Sequence, residues 1–298
     1  MGRMETIREI SVMRGTSLNY LLKNKTIGFV PTMGALHEGH LSLIKRCRQD
    51  NDVTVVSIFV NPMQFEPGED FDKYPRTYAN DKQLMEDASV DVVLLPDAEN
   101  FYPGGFSVNT TVEVGGGVGE NLCAKFRPGH FKGVATVVAK FFNIVRPAKA
   151  YFGQKDYQQS LVIRNMVRDL NMDVNIVVCP TVREKDGLAM SSRNVFLSAE
   201  QRKDALLIYR ALKAVEENLT MSRMELSDVP KLMSSVIGSG KVVSEIQYAS
   251  VYDPDTLADI SAEPASKYAG RAVLAAAAIK IGSEKEVRLI DNMLINVG

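Results

Sequence analysis

Residues 53–60, VTVVSIFV, are apolar or β-branched almost throughout, the pattern of a strand buried on both faces. Such strands belong to parallel sheets, and a parallel sheet needs crossover segments between its strands. The chain supplies them in alternation. Residues 4–24 read as helical, 26–30 as a strand, and Leu41, Leu43, Ile44 and Cys47 as one face of a helix reaching about Gln49. Residues 80–88 read as a helix and 90–95 as a strand that stops at Pro96. Residues 106–114 alternate as an edge strand does and lead into three glycines. Val134, Val137, Val138, Phe141, Phe142 and Val145 then mark a helix that Arg146-Pro147 ends. A strand at 150–152, a helix at 158–170 and a strand at 174–179 complete the series. This alternation predicts an α/β fold, a doubly wound, Rossmann-like parallel sheet with right-handed crossovers.

Beyond about residue 181 the pattern changes. Ser198 and Gln201 fit a capping box ahead of a long helix to about Leu219, and a second helix covers 225–237. Strands at 246–252, 272–281 and 287–290 follow with little helix between them. The expected division is therefore 1–181, a Rossmann-like domain, and 182–298, a smaller α+β domain with an antiparallel sheet. Ligands of doubly wound sheets bind beyond the carboxyl ends of the strands, so the loops there carry the chemistry.

The first such loop is residues 31–40, PTMGALHEGH. Pro31 cannot donate to a sheet ladder and is expected to end the strand. Gly34 and Gly39 suit sharp turns or close ligand approach. His37 and His40 flank the start of the next helix, whose unpaired amides attract phosphate. A second loop, Gly153-Gln154-Lys155-Asp156, again lies between strand and helix, where a lysine meets phosphate as a point charge. A third, Met190-Ser191-Ser192-Arg193, combines two hydroxyls with a guanidinium. A fourth, Asn61-Pro62-Met63-Gln64-Phe65, offers an amide to a small polar substrate. Each also has a plainer reading, a packed histidine beside a helix start for 37–40, a capped turn for 153–156 and 190–193 and an exposed turn residue for Gln64, and His130 alone reads as a satisfied loop histidine. Three at strand ends and one in a polar loop after Asp186-Gly187, together in one chain, point to a polyphosphate site.

Composition narrows the classes. Lys plus Arg number 35 against 36 Asp plus Glu, so the net charge of −1 supplies no basic surface for nucleic acid or an anionic membrane. Cys47, Cys123 and Cys179 are scattered and odd in number, as for reduced, mostly buried thiols of a cytoplasmic protein. The N-terminus lacks an apolar signal core, and no run reaches membrane-spanning length. A histidine pair could take zinc, but no third ligand is evident, and no protein metal site is expected.

The motifs PTMGALHEGH, FVNPMQF, RPGHFKGV, YFGQKDYQQ and GLAMSSRN, in this order from about residue 26 to 194, with LIDN near Asp291, closely resemble the pantoate–β-alanine ligase (pantothenate synthetase) family. HxGH alone indicates only the wider nucleotidyltransferase group. The resemblance implies two steps: pantoate attacks the α-phosphate of ATP to give pantoyl adenylate and pyrophosphate, then β-alanine takes the pantoyl group and releases AMP. It implies that Met33, Gly34, Ala35, Leu36, His37, Glu38, Gly39 and His40 hold ATP, with His40 the proton donor to the departing phosphate. Gly153, Gln154, Lys155, Asp156, Val182, Met190, Ser191, Ser192 and Arg193 would complete the nucleotide site, Lys155 and Arg193 stabilising transition-state charge. Gln64 would hold pantoate and β-alanine, and Gln159 pantoate. Mg²⁺ would be bound mainly through ATP phosphates. The resemblance further implies a cytoplasmic homodimer formed through the first domain, with the second domain closing over the site. The Pro/Gly-punctuated loop at 66–78 is a candidate lid. Alternatives are another HxGH adenylyltransferase, a tRNA-charging protein, which the charge balance disfavours, and a non-catalytic nucleotide-binding regulator.

Overall fold

The computed structural model describes residues 4–66, 69, 71–105, 110–283 and 286–298. The chain forms two compact units: Met1–Gly115 with Arg127–Gln154 and Gln159–Pro180, and Gly116–Phe126 with Lys155–Gln158 and Thr181–Gly298.

In chain order the elements up to residue 180 are β1 (Glu5–Ile7), α1 (Ile10–Leu22), β2 (Ile27–Thr32), α2 (Glu38–Asp50), β3 (Val53–Ile58), α3 (Tyr78–Asp87), β4 (Val92–Leu94), α4 (Ala98–Phe101), α5 (Gly117–Glu120), α6 (Cys123–Phe126), α7 (His130–Val145), β5 (Lys149–Gly153), α8 (Tyr157–Asp169) and β6 (Asn175–Cys179). The strands make one parallel sheet in the order β1-β4-β3-β2-β5-β6. Successive strands run outward from β2 through β3 to β4, and the chain then returns to β5 on the other side of β2. The order reverses between β2 and β5, which places the ligand crevice of the first unit at their carboxyl ends. The loop after β2 is PTMGALHEGH, and the loop after β5 begins with Gly153 and Gln154.

Three sequence expectations are corrected here. Residues 5–7 are a strand rather than the start of a helix, because parallel pairing with residues 92–94 of β4 outweighs their local helical spacing. Pro31 does not end its strand. β2 continues to Thr32, with Pro31 opposite Ser57 of β3, while pairing with β5 is confined to Gly28 and Phe29. On the β5 side the ladder has already ended, so the missing N–H costs no bond there. Residues 110–115 carry no strand, and the rest of the alternating run, 106–109, lies outside the described residues.

The cores follow the expected faces. Every residue of β3 is buried, as its apolar run requires. Phe29, Phe59, Phe101 and Phe141 pack ring to ring, with centroids 4.6–6.3 Å apart for the pairs in contact. Burial pushes the Cys47 thiol up to about 12 and raises Cys179 as well, so neither is a nucleophile at neutral pH.

The later elements are α9 (Ala199–Thr220), α10 (Val229–Ile237), β7 (Val243–Tyr252), β8 (Ala272–Ile281) and β9 (Val287–Asn296). Ser198 caps α9 through a reciprocal bond with Gln201, the box read from the sequence. The three strands form an antiparallel sheet in the order β7-β8-β9. β9 runs six residues past the expected 287–290, because all ten of its positions pair with β8. Side chains of α9 and α10 share one core with this sheet, including Leu212, Val215, Met233, Val251 and Ile279.

Gly133 of α7 faces the backbone of the 3-10 turn Pro62–Gln64, and a Cβ there would lie 2.2 Å from the Met63 carbonyl oxygen. Backbone cannot yield as a side chain can. Gly133→Ala should destabilise the protein by about 2–3 kcal/mol, read as a lower urea midpoint at unchanged slope. Gly15, inside α1 with nothing near its missing Cβ, is the control: Gly15→Ala should stabilise by about 0.5–1 kcal/mol.

Candidate active site

The loop after β2 is held in an uncommon shape. Gly34 and Ala35 have φ of 83° and 50°, both left-handed, and Ala35 carries a Cβ into that region. The buried carboxylate of Asp81, from α3, stabilises this backbone by accepting the Ala35 and Leu36 amides, each at 2.9 Å, and the Thr77 hydroxyl at 3.1 Å. Thr32 accepts the Gly34 amide and donates to the Ser57 carbonyl of β3, tying the loop to the sheet. Asp81 lies far from the motifs in sequence, and only its Asp-at-helix-start position hinted at a capping role.

His37 is the N-cap of α2. Its Nδ1 accepts the Gly39 amide at 3.1 Å, and the His37 amide donates to His40 Nδ1 at 3.3 Å. The two rings lie 4.1 Å apart. With both Nδ1 atoms accepting, these hydrogen bonds assign the neutral tautomer of each ring as Nε2–H. Both histidines can therefore offer an Nε2 proton to an anion at the start of α2, where the helix supplies partial positive charge. Met33, Gly34, Ala35, Leu36, Glu38 and Gly39 belong to the same turn.

The turn after β3 meets this loop. Gln64 Nε2 donates to Met33 Sδ at 3.0 Å, and its Oε1 accepts from Asn61 at 3.2 Å. Asn61 is itself buried, accepting from the Tyr102 hydroxyl at 2.8 Å and donating to the Gly133 carbonyl. The Gln64 carbonyl accepts from Arg127 and is 2.8 Å from His130 Nδ1, while His130 Nε2 is 3.0 Å from Arg127 Nη1. The loop-histidine reading of His130 thus becomes specific: at the first position of α7, it braces the Gln64 turn. Arg127 also grips Glu69 with two bonds of 2.7 Å. Pro67, Gly68 and Asp70 of the expected lid lie outside the described residues. Gln159 sits half-buried in the first turn of α8.

Gly153 and Gln154 also belong to the first unit, and the second unit holds the remaining predicted residues. Lys155 and Asp156 lie in a 3-10 turn between β5 and α8, with Lys155 Nζ 3.7 Å from Asp156 Oδ1. Val182 and Met190 join the ends of a hairpin through the Met190 amide and Val182 carbonyl at 3.0 Å. Ser191 then caps the turn Ser192–Phe196 by accepting the Arg193 amide. Asn194 and Arg202 hold the hairpin from outside through Glu184, and Arg202 also binds Asp186. Sequence reading missed the partners that aim these loops, because they lie on distant elements. Among the described residues no cluster of three or more His, Cys, Asp or Glu has the arrangement of a metal site. No helix among them is long and apolar enough to cross a membrane.

Asp81→Ala would leave two amides of a left-handed turn without their acceptor. It should cost about 3 kcal/mol in urea unfolding and raise amide exchange at Ala35 and Leu36. Glu69 gives a pH signature. Burial alone would push its carboxyl up, but hydrogen bonds and charge from Arg127 outweigh that and hold it below the ordinary 4.5. Its contribution to stability is therefore full above pH 4.5 and lost as pH falls below it. Glu69→Gln should flatten that acid limb in stability measured against pH.

Comparison with known proteins places this geometry. A family model described as pantoate-beta-alanine ligase matches residues 5–294. A pantothenate synthetase of Thermodesulfovibrio yellowstonii is 53% identical over 292 residues, covering 98% of this chain and 100% of that one. A pantothenate synthetase crystal structure from Thermus thermophilus superposes with a TM-score of 0.88 at 43% identity, covering 97% of this chain and 99% of that one. A pantoate-beta-alanine ligase from Francisella tularensis, complexed with beta-gamma ATP and beta-alanine, gives 0.79 at 35% identity and 99% coverage of both chains. The chain belongs to the pantoate–β-alanine ligase family.

Proposed function

We infer that the chain condenses pantoate with β-alanine at the expense of ATP, giving pantothenate, AMP and pyrophosphate. The observation that carries this reading is the histidine pair at the topological switch point, each ring held with its Nδ1 as acceptor. A carboxylate acylates an amine poorly until it gains a good leaving group. In the first step a pantoate carboxylate oxygen bonds to the α-phosphorus of ATP, and the bond from that phosphorus to the bridging oxygen breaks. Pyrophosphate leaves, and its developing charge needs fixed donors. His40, presenting Nε2–H, is proposed as the proton donor to that phosphate, with His37 beside it. In the second step the neutral β-alanine nitrogen bonds to the pantoyl carbonyl carbon and gives up a proton, the carbon–oxygen bond to phosphate breaks, and AMP leaves.

The loop at 33–40, with Gly153 and Gln154, is proposed to bind the nucleotide. Lys155, Asp156, Val182, Met190, Ser191, Ser192 and Arg193 are proposed to act on the same ATP, Lys155 and Arg193 countering charge on its phosphates. Gln64, with its amide fixed at both ends, is proposed to orient pantoate and β-alanine, and Gln159 pantoate. Mg²⁺ is proposed to arrive on the ATP phosphates, where it would neutralise charge and orient the chain of phosphates. Cytoplasmic residence is supported by three cysteines free of disulfides. A homodimer through the Rossmann-like unit is proposed on the family resemblance.

The test is AMP formation by purified protein. It should require pantoate and β-alanine together, and His40→Ala should lower it by about 10²–10⁴-fold while the protein stays folded. AMP or pyrophosphate release with a nucleotide or phosphopantetheine acceptor instead would identify another adenylyltransferase. ATP binding with no turnover would identify a regulator.

A further inference from the structure

The LIDN segment of β9 supplies no residue to the scheme above, yet it carries a buried polar device within the second unit. Asp291 is 4% exposed. Arg183 grips its carboxylate with both terminal nitrogens, at 2.5 and 3.0 Å, and the Asn292 amide donates to it at 2.8 Å. The same guanidinium donates to the Gly187 carbonyl at 3.2 Å and lies 4.7 Å from the centre of the Tyr209 ring. Gly187 has φ of 99°, and a Cβ there would lie 2.2 Å from that ring. Arg183, near the start of the hairpin that leads into residues 190–193, thus ties the Gly187 turn of that hairpin to β9. Next along β9, the Asn292 side-chain amide donates to the main-chain carbonyl of Lys155 at 2.8 Å.

A buried ion pair adds little net stability, because removing both charges from water offsets their attraction. What it does supply is a defined geometry, provided its hydrogen bonds are complete. Here the ion pair ends on the hairpin before Arg193, and the side chain of the adjacent Asn292 ends on the Lys155 turn. We propose that Asp291 and Asn292 are positioning residues, which set the main chain from which Lys155 and Arg193 reach phosphate through the Lys155 carbonyl and Arg183. They touch no substrate. They act by fixing where two cations sit, and a small misplacement of such groups costs much of their effect on a transition state.

This inference rests on the ligase reading, and a kinetic double-mutant cycle separates the two. Asn292→Ala should lower kcat for pantoate-dependent pyrophosphate release by about 10- to 100-fold, with the KM for pantoate unchanged and thermal unfolding close to wild type. In a Lys155→Met background the same substitution should change the rate less than about twofold, because the group it positions is already gone. Should Asn292→Ala unfold, the isosteric Asn292→Asp, which lacks the donor, takes its place in the cycle. A wild-type rate in the single variant, or effects that simply multiply in the double variant, overturns the positioning role while leaving the ligase assignment intact. A wild-type protein inactive with ATP, pantoate and β-alanine overturns the assignment and this inference with it.

Discussion

The turn proposed to bind phosphate depends on one buried carboxylate. Asp81 accepts two successive amides from Ala35 and Leu36, and without it a left-handed alanine would be strained with little to hold it. With it, the chain leaves β2, turns within a few residues and enters α2 with His37 as the N-cap. That cap then dictates protonation, since the amides of Gly39 and His37 occupy the two Nδ1 positions. These two amide bonds thus assign which nitrogen of each neutral imidazole carries the proton.

The same logic recurs around Gln64. Its side chain is held by Asn61 and contacts Met33, and its carbonyl is held by Arg127 and His130. Gly133 allows α7 to approach this turn more closely than any residue with a Cβ could. A glutamine fixed in this way loses little rotamer freedom when it meets a substrate, which is the physical meaning of a preformed site. Asn61, Tyr102, Arg127 and His130 therefore hold in place the residue that is proposed to touch the ligand.

Much of the fold was legible because the relevant information is local. Buried parallel strands announce themselves as apolar runs, and helices by their spacing, so β3, α7 and the α9 capping box agree with expectation. The failures share a cause. β1 was hidden because three residues gain strand geometry only by pairing with β4, and Pro31 because its position was judged without its neighbours in the sheet. The end of β9 was missed because its last six residues are strand only by virtue of β8 beside them.

By itself, the sequence determined the alternating architecture, the strand-to-helix loops that bear the histidines and the lysine, and the motif order that points to the ligase family. These follow from spacing along the chain and from the backbone preferences of glycine and proline. Only the tertiary structure decided which distant side chains hold those loops. Asp81 reaches Ala35 and Leu36 across about 45 residues of chain, and Arg183 reaches Asp291 across 108. Spacing cannot encode such partners, because their meeting depends on how sheets and helices pack and on where a buried charge can find all its hydrogen bonds.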